Sequence, residues 1–360
     1  MERLSRGTLI KCRWSVERML GEGGCGVVYQ VTDANGYQLA MKTERLQRRS
    51  DQQILKMEAH LLRQLQSSRH VCRLVSCGRT DKFNFIVMTL VGANFASLRR
   101  QCPQQHFTTG TAVRLVSQCL SAIKDVHFAG FVHRDIKPSN FAIGSQPSNK
   151  RTVFILDFGL ARQFESVGAN GQRHVRVQRN DVAFRGTIRY CSANVHLGKE
   201  HGRHDDLWSL VYLAIELITG KLPWRNKGKE GSKRAKLKLN DTTLLQHCPP
   251  EFYRISRHLR QLDYTKAPHY KFVLALLDNV KARQGYSDQE PFDWEEGGHY
   301  YHYFTAERSQ STLIISDSSE GETAREKTEH SSSSTQHLGT DSFELKVDDT
   351  NSIHSYVRYL

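Results

Sequence analysis

A chain of 360 residues, 38% hydrophobic and 24% charged, has room for one large bilobal domain or two modest ones, and that composition excludes wholesale disorder. Its 51 Lys and Arg against 37 Asp and Glu give a formal charge of +14, which asks for acidic partners such as nucleic acid, a membrane surface or phosphorylated protein.

The N-terminus lacks the apolar stretch of a signal peptide. From Trp14 to Val91, strand-like runs at 27–31, 38–41 and 83–88 enclose one helical stretch, 54–65, with apolar residues at three- and four-residue spacing. After Gly92 the pattern is helical over 111–129, 206–219 and 270–280, with a short β-rich patch at 141–143 and 153–156. The apolar run 210–218 carries Glu216 and is too short to span a bilayer. The expected fold class is α+β: a small β-rich N-terminal lobe, about 14–91, and a larger helical lobe, about 92–295. From Thr305 the composition changes. Residues 305–360 hold a run of four serines, 331–334, and five basic against ten acidic residues, so the remainder carries +19. Such a segment buries too little apolar surface to offset its chain entropy, and a disordered acidic tail is expected, docking on the basic domain being the alternative. The eight cysteines form no CxxC pair, so reduced thiols and an intracellular protein, cytoplasmic or nuclear, are expected.

Chemistry enters at Gly21-Glu22-Gly23-Gly24-Cys25-Gly26-Val27-Val28-Tyr29. Glycines at the first, third and sixth places let a turn lie close over a phosphate chain with its N–H groups free to donate. Dinucleotide folds share that spacing, but their loop opens a helix, whereas here a strand continues; a hairpin flap over ATP is favoured, with a merely structural turn left open. Next, Leu39-Ala40-Met41-Lys42 is an apolar strand ending in a lysine. Alternation puts Lys42 on the face of Ala40, where a charge needs a partner. Glu58 in the helical stretch could pair with it and hold it against the α- and β-phosphates.

The most specific stretch is His133-Arg134-Asp135-Ile136-Lys137-Pro138-Ser139-Asn140. Asp135 is spaced to accept a hydroxyl proton, Lys137 to neutralise the transferring phosphoryl group, and Asn140 to bind a metal. Leu156-Asp157-Phe158-Gly159 then offers Asp157 as a carboxylate for Mg²⁺, which takes one or two carboxylates plus phosphate oxygens. A scaffold that had lost catalysis would lack one of Lys42, Asp135, Asn140 or Asp157, and all four are present.

On these residues, 14–295 resembles a eukaryotic protein kinase domain, and Lys137 two places after Asp135 resembles the serine/threonine-specific form. In place of the usual Ala-Pro-Glu stands Gly186-Thr187-Ile188-Arg189-Tyr190-Cys191-Ser192-Ala193-Asn194, similar to the signature of the casein kinase 1 superfamily. His70-Val71-Cys72-Arg73, Gly202-Arg203-His204-Asp205-Asp206, Leu222-Pro223-Trp224-Arg225 and Asp293-Trp294-Glu295 are closest to the tau-tubulin kinase branch. The resemblance implies ATP and Mg²⁺ as cofactors, with nucleotide contacts from Leu20, Gly21, Glu22, Gly23, Gly24, Cys25, Gly26, Val27, Val28, Lys42, Glu58, Thr89, Val91 and Asp157. It also implies Met88 as gatekeeper, Asp206 bonded to the catalytic loop, and Leu62, His133 and Phe158 stacked between the lobes. Cys25 departs from the family, which carries an aromatic residue or Ser at the loop tip.

Two basic clusters flank the expected substrate groove: Arg162, Arg173, Arg176, Arg179, Arg185 and Arg189, and eight Lys or Arg within 221–238. A solvated lysine-rich loop is the bland reading of the second. Arg189 resembles a family position that binds a substrate anion, which implies acidic or already phosphorylated protein targets. The family resemblance adds cytoskeletal proteins as candidate targets, and a monomer is expected. Nucleic-acid binding would want aromatic residues among the basic ones, and 225–238 has none, so no nucleic acid is expected.

Overall fold

The computed structural model describes residues 3–24, 26–46, 54–168 and 170–308; Cys25 and the serine-rich segment from 309 onward lie outside the described residues. A first compact unit ends at Tyr301. Its N-terminal lobe is one antiparallel sheet built from β1 (Leu9–Ile10), β2 (Trp14–Gly23), β3 (Gly26–Thr32), β4 (Gln38–Arg45), β5 (Leu74–Arg79) and β6 (Phe83–Thr89), in the order β1-β2-β3-β4-β6-β5. Helix α1 (Ile54–Gln64) lies between β4 and β5 in sequence. Trp14, Val16, Tyr29, Val31, Leu39, Met41, Phe85 and Val87 form the core of one sheet face. Ala40 and Lys42 alternate with Leu39 and Met41 and so lie on the opposite face, as the period of two requires. Lys42 pairs with Val28 on one side and Ile86 on the other, which fixes it in mid-sheet between the lobes.

The chain crosses through β7 (Val91–Asn94) into α2 (Phe95–Gln101), capped by Asn94. Helix α3 (Thr109–Phe128) follows, then β8 (Phe131–Val132), β9 (Phe141–Gly144) and β10 (Val153–Ile155). Strands β7, β9 and β10 make a small sheet, and β8 pairs with β11 (Arg162–Gln163). A hairpin, β12 (Glu165–Val167) and β13 (Arg173–Val175), lies in the segment leading to α4 (Ala193–His196) and α5 (Arg203–Thr219). Helices α6 (Lys229–Lys238), α7 (Asp241–Leu244), α8 (Glu251–Arg260) and α9 (Tyr270–Gln284) complete the lobe. Helix α5 is buried along nearly its whole length, which its apolar run dictates, and it stops at Gly220, whose φ of 76° is a left-handed cap. A final helix, α10 (Tyr301–Arg308), takes up 305–308, which composition alone assigned to the tail; Ala306, Glu307 and Arg308 are good helix formers.

One carboxylate fastens the catalytic loop to this scaffold. Asp206, in the first turn of α5 and fully buried, accepts hydrogen bonds from the backbone N–H of His133 at 2.7 Å and of Arg134 at 2.9 Å. His127 Nε2 lies 2.9 Å from one oxygen and His201 Nε2 3.0 Å from the other. Burial works against the charged form of Asp206, but these two histidines outweigh it and hold the carboxyl well below the usual range. The His133 ring in turn meets Phe158 edge-on at 5.5 Å, and Leu62, His133 and Phe158 are all buried. Asp206→Ala orphans two buried backbone N–H groups and two histidines, and should cost about 3–5 kcal/mol in chemical denaturation. A loss below about 1 kcal/mol would mean that the loop is held by something else.

Candidate active site

The hairpin between β2 and β3 is the roof of the cleft. At Gly21, Gly23 and Gly24 an added Cβ would meet nothing within 4 Å, so the protein's own packing does not require these glycines. Open space beneath a glycine-rich hairpin is what close backbone approach to a phosphate chain needs. Gly26 differs: its φ is 126° and a Cβ there would lie 1.9 Å from the Thr43 carbonyl oxygen, so the hairpin closes only with glycine. Leu20 and Glu22 are exposed on this flap, and the Glu22 carboxylate accepts from Arg3 at 2.9 Å; Val27 is buried and Val28 half-buried. At the back of the cleft Met88, Thr89 and Val91 are half-buried. Thr89 exchanges hydrogen bonds with the backbone of Arg73, its N–H donating to Arg73 O at 3.0 Å and its Oγ1 accepting from Arg73 N at 3.1 Å.

Lys42, Glu58 and Asp157 come together although 115 residues separate the first from the last. Lys42 Nζ donates to Glu58 Oε2 at 2.7 Å and to Asp157 Oδ1 at 2.8 Å. Glu58 is therefore no incidental surface residue: it is 2% exposed, on the inner face of α1. Burial would lower the Lys42 ammonium, but Glu58 and Asp157 outweigh it and raise it above its ordinary value. Burial likewise opposes the charged form of Asp157, and Lys42 overcomes it, holding the carboxyl below its usual range. Asp157 has a φ of 63°, uncommon for a non-glycine residue, and its Oδ1 also accepts from Gly159 N at 3.3 Å. Its side chain is 37% exposed, so this carboxylate stays open to solvent while it holds Lys42.

Across the cleft Asp135 sits in a ring of polar partners. Lys137 Nζ lies 2.7 Å from its Oδ2, and Thr187 Oγ1 donates to its Oδ1 at 2.7 Å. Lys137 also donates to Thr187 at 3.3 Å, which closes a triangle of base, cation and hydroxyl. Asn140 Nδ2 donates to the Asp135 carbonyl at 2.8 Å, which leaves Oδ1, the atom a hard cation takes, outside that bond. Thr187 has no role assigned by the sequence reading; its signal was the lone hydroxyl between Gly186 and Arg189. Among the described residues no three His, Cys, Asp or Glu gather to hold a metal. One carboxylate and one amide oxygen fit an ion that draws its other ligands from phosphate and water, as Mg²⁺ does.

The basic clusters divide. Arg189 is 27% exposed and its guanidinium reaches toward the fully buried Glu216 at 3.7 Å, beside Arg99 on the same carboxylate and the Tyr190 hydroxyl, which donates to it. Lys236, counted with the groove lysines, instead turns inward, donating to Ile188 O at 2.6 Å and Cys191 O at 2.7 Å over the faces of Tyr212 and Trp224. Burial pushes its pKa down to about 8. Lys221, Arg225, Lys227, Lys229, Arg234 and Lys238 stay exposed.

Residues 14–279 match the protein kinase domain family. A Dictyostelium discoideum protein described as a serine/threonine-protein kinase is 41% identical over 80% of this chain, which spans 58% of that relative's length. Two Caenorhabditis elegans proteins are also similar. One is described as a casein kinase I, 31% identical over 81% of this chain and 86% of its own length. The other is described as an inactive tau-tubulin kinase, 35% identical over 66% and 86%. With this match over a cleft so built, the chain belongs to the protein kinase family, among its serine/threonine kinases.

Proposed function

We propose that this chain transfers the γ-phosphoryl group of Mg-ATP to Ser and Thr hydroxyls of protein substrates, favours acidic or pre-phosphorylated sites, and stands in the casein kinase 1 superfamily near the tau-tubulin kinase branch. The observation that carries the reading is the pairing of two assembled clusters: Lys42 shared by Glu58 and Asp157, and Asp135 held by Lys137, Thr187 and the Asn140 side-chain amide, which donates to the Asp135 carbonyl. Asp135 would accept the proton of the attacking hydroxyl as its oxygen bonds to the γ-phosphorus and the bond to the β-bridging oxygen breaks, releasing ADP. Lys137 would stabilise charge on the transferring group, and Thr187 keeps the Asp135 carboxylate in register. Asp157 and Asn140 would hold Mg²⁺, which would supply positive charge against the developing charge of the phosphates. Lys42 would steady the nucleotide's phosphates, and the open-spaced glycines would let backbone N–H groups approach them. The exposed cations of 221–238, with the partly exposed Arg189, support a preference for anionic substrates.

Asp157→Asn should leave the fold intact and lower transfer on the order of 10²-fold or more, read from labelled phosphate on a peptide. Normal turnover by the folded variant would sink this mechanism. Phosphatase-treated wild type should remain active, and should favour a primed phosphopeptide over its unprimed twin by about tenfold at low salt, the margin shrinking as salt screens the groove. Equal rates on the two peptides would remove the anion preference while leaving the transfer chemistry standing.

A further inference from the structure

Outside the reacting groups, a charge cluster joins the catalytic loop to the segment that follows Asp157. Arg134 directly precedes Asp135, has a φ of 69°, and donates from Nε to Leu160 O at 2.6 Å. Arg162 lies in β11, paired with Val132 just before the catalytic loop. Arg179 lies farther along the segment. These three guanidinium groups and that of Arg185 repel one another: burial first, then Arg162 and Arg185, bring Arg134 down to about 10. Such a cluster holds only around an anion.

The anion in place is Glu200, in the loop entering α5 and 3% exposed. Arg179 grips it with both ends of its fork, Nε to Oε2 at 2.5 Å and Nη2 to Oε1 at 3.1 Å. Arg162 Nε lies 3.4 Å from Oε1. Burial opposes the charge on Glu200, but Arg179, Arg162 and Arg134 outweigh it and hold the carboxyl below its usual range. Nearby Val182 N donates to Gly198 O at 2.8 Å, so the segment lies along the Glu200 loop by backbone as well. At the segment's far end Thr187 holds Asp135, so slack near Glu200 would reach the base directly.

We propose that Glu200 is a positioning residue supplying, as a fixed part of the fold, the anion on which Arg162 and Arg179 close, so that the segment stays in register with Asp135 without an added phosphate. This rests on the kinase reading above. A bidentate Arg–carboxylate pair has the strength and planarity of an Arg–phosphate pair, and being encoded in the chain it is always present.

The test uses full-length, phosphatase-treated protein. Glu200→Gln should lower kcat by about tenfold or more, because the base and the segment drift apart, while the ATP KM stays within roughly twofold. Millimolar sulfate should restore much of that kcat where matched chloride does not, and Glu200→Asp should stay close to wild type. A purely structural role for Glu200 would give a lower melting temperature with no anion-specific recovery. Wild-type kcat in Glu200→Gln, or a loss in the folded variant that sulfate relieves no better than chloride, would overturn the inference. Should Glu200→Gln fail to fold, Arg179→Gln, at a side chain 47% exposed, should lower kcat with the ATP KM unchanged, and wild-type kcat there would overturn it equally. Wild type active only before phosphatase treatment overturns this inference and the expected phosphatase resistance but leaves the transfer chemistry standing, whereas wild type inert with ATP throughout fails the kinase reading itself.

Discussion

A single buried ammonium, that of Lys42, is shared between a carboxylate of the N-terminal lobe and one at the mouth of the C-terminal lobe, at 2.7 and 2.8 Å. A cation taken out of water is held there only by its carboxylates, and removing Lys42 itself would leave Glu58 buried beside a second like charge. Much of the fold serves that arrangement. The register of β3, β4 and β6 sets Lys42 in mid-sheet on the face away from Trp14 and Met41, and α1 turns Glu58 inward. The unusual φ of Asp157 brings its carboxylate back to the cleft.

The C-terminal lobe answers with anions of its own in the loops and first turn at the start of α5. Asp206 gathers the backbone of His133 and Arg134, and Asp205 accepts from the Ser192 hydroxyl and the Gly202 N–H that begins the helix. Glu216, farther along the same helix, draws Arg99, Arg189 and Tyr190 together. Each carboxylate is buried and each is met by donors from a different stretch of chain, so the base, the substrate-side segment and the helical core are fixed relative to one another. Such a frame is stiff where phosphoryl transfer asks for positioning, and leaves the glycine hairpin and the exposed lysines at the solvent edge.

The two-lobe architecture and the cluster Lys42, Asp135, Asn140 and Asp157 were legible in the sequence, because strand alternation, helical spacing and fixed polar offsets are local signals. Strand β2 was not: beyond Val16 most of its residues are exposed and its pairing slips at two bulges, so neither alternation nor apolar content marks it. Glu58 could be named as a partner for Lys42 only through the motif set, since a helical acid carries no local mark of a partner on another element. Arg189 read as an open anion site, but the carboxylate that anchors it, Glu216, sits in an apolar helix where a pattern reading sees only an interruption. Lys236 read as one of several solvated lysines, and what turns it inward is the pair of aromatic faces and two carbonyls supplied by distant loops. Glu200 had no signal at all, because its meaning lies in three arginines 21 to 66 residues away in a folded chain. Long-range charge pairing is the part of the site that composition and spacing do not carry.

The central claim is that Lys42 and Asp157 stand ready for a metal-bound nucleotide, and thermal unfolding with ADP, with and without Mg²⁺, tests it most directly. A ligand that binds only the folded state stabilises it by an amount that grows with the logarithm of its concentration relative to Kd, and so raises the melting temperature. The wild-type protein should be stabilised more by ADP with Mg²⁺ than by ADP alone. Asp157→Asn should lose that metal-dependent increment while keeping the increment from ADP itself. A wild-type protein indifferent to ADP with Mg²⁺, or an Asp157→Asn variant that keeps the full metal-dependent shift, would contradict the account.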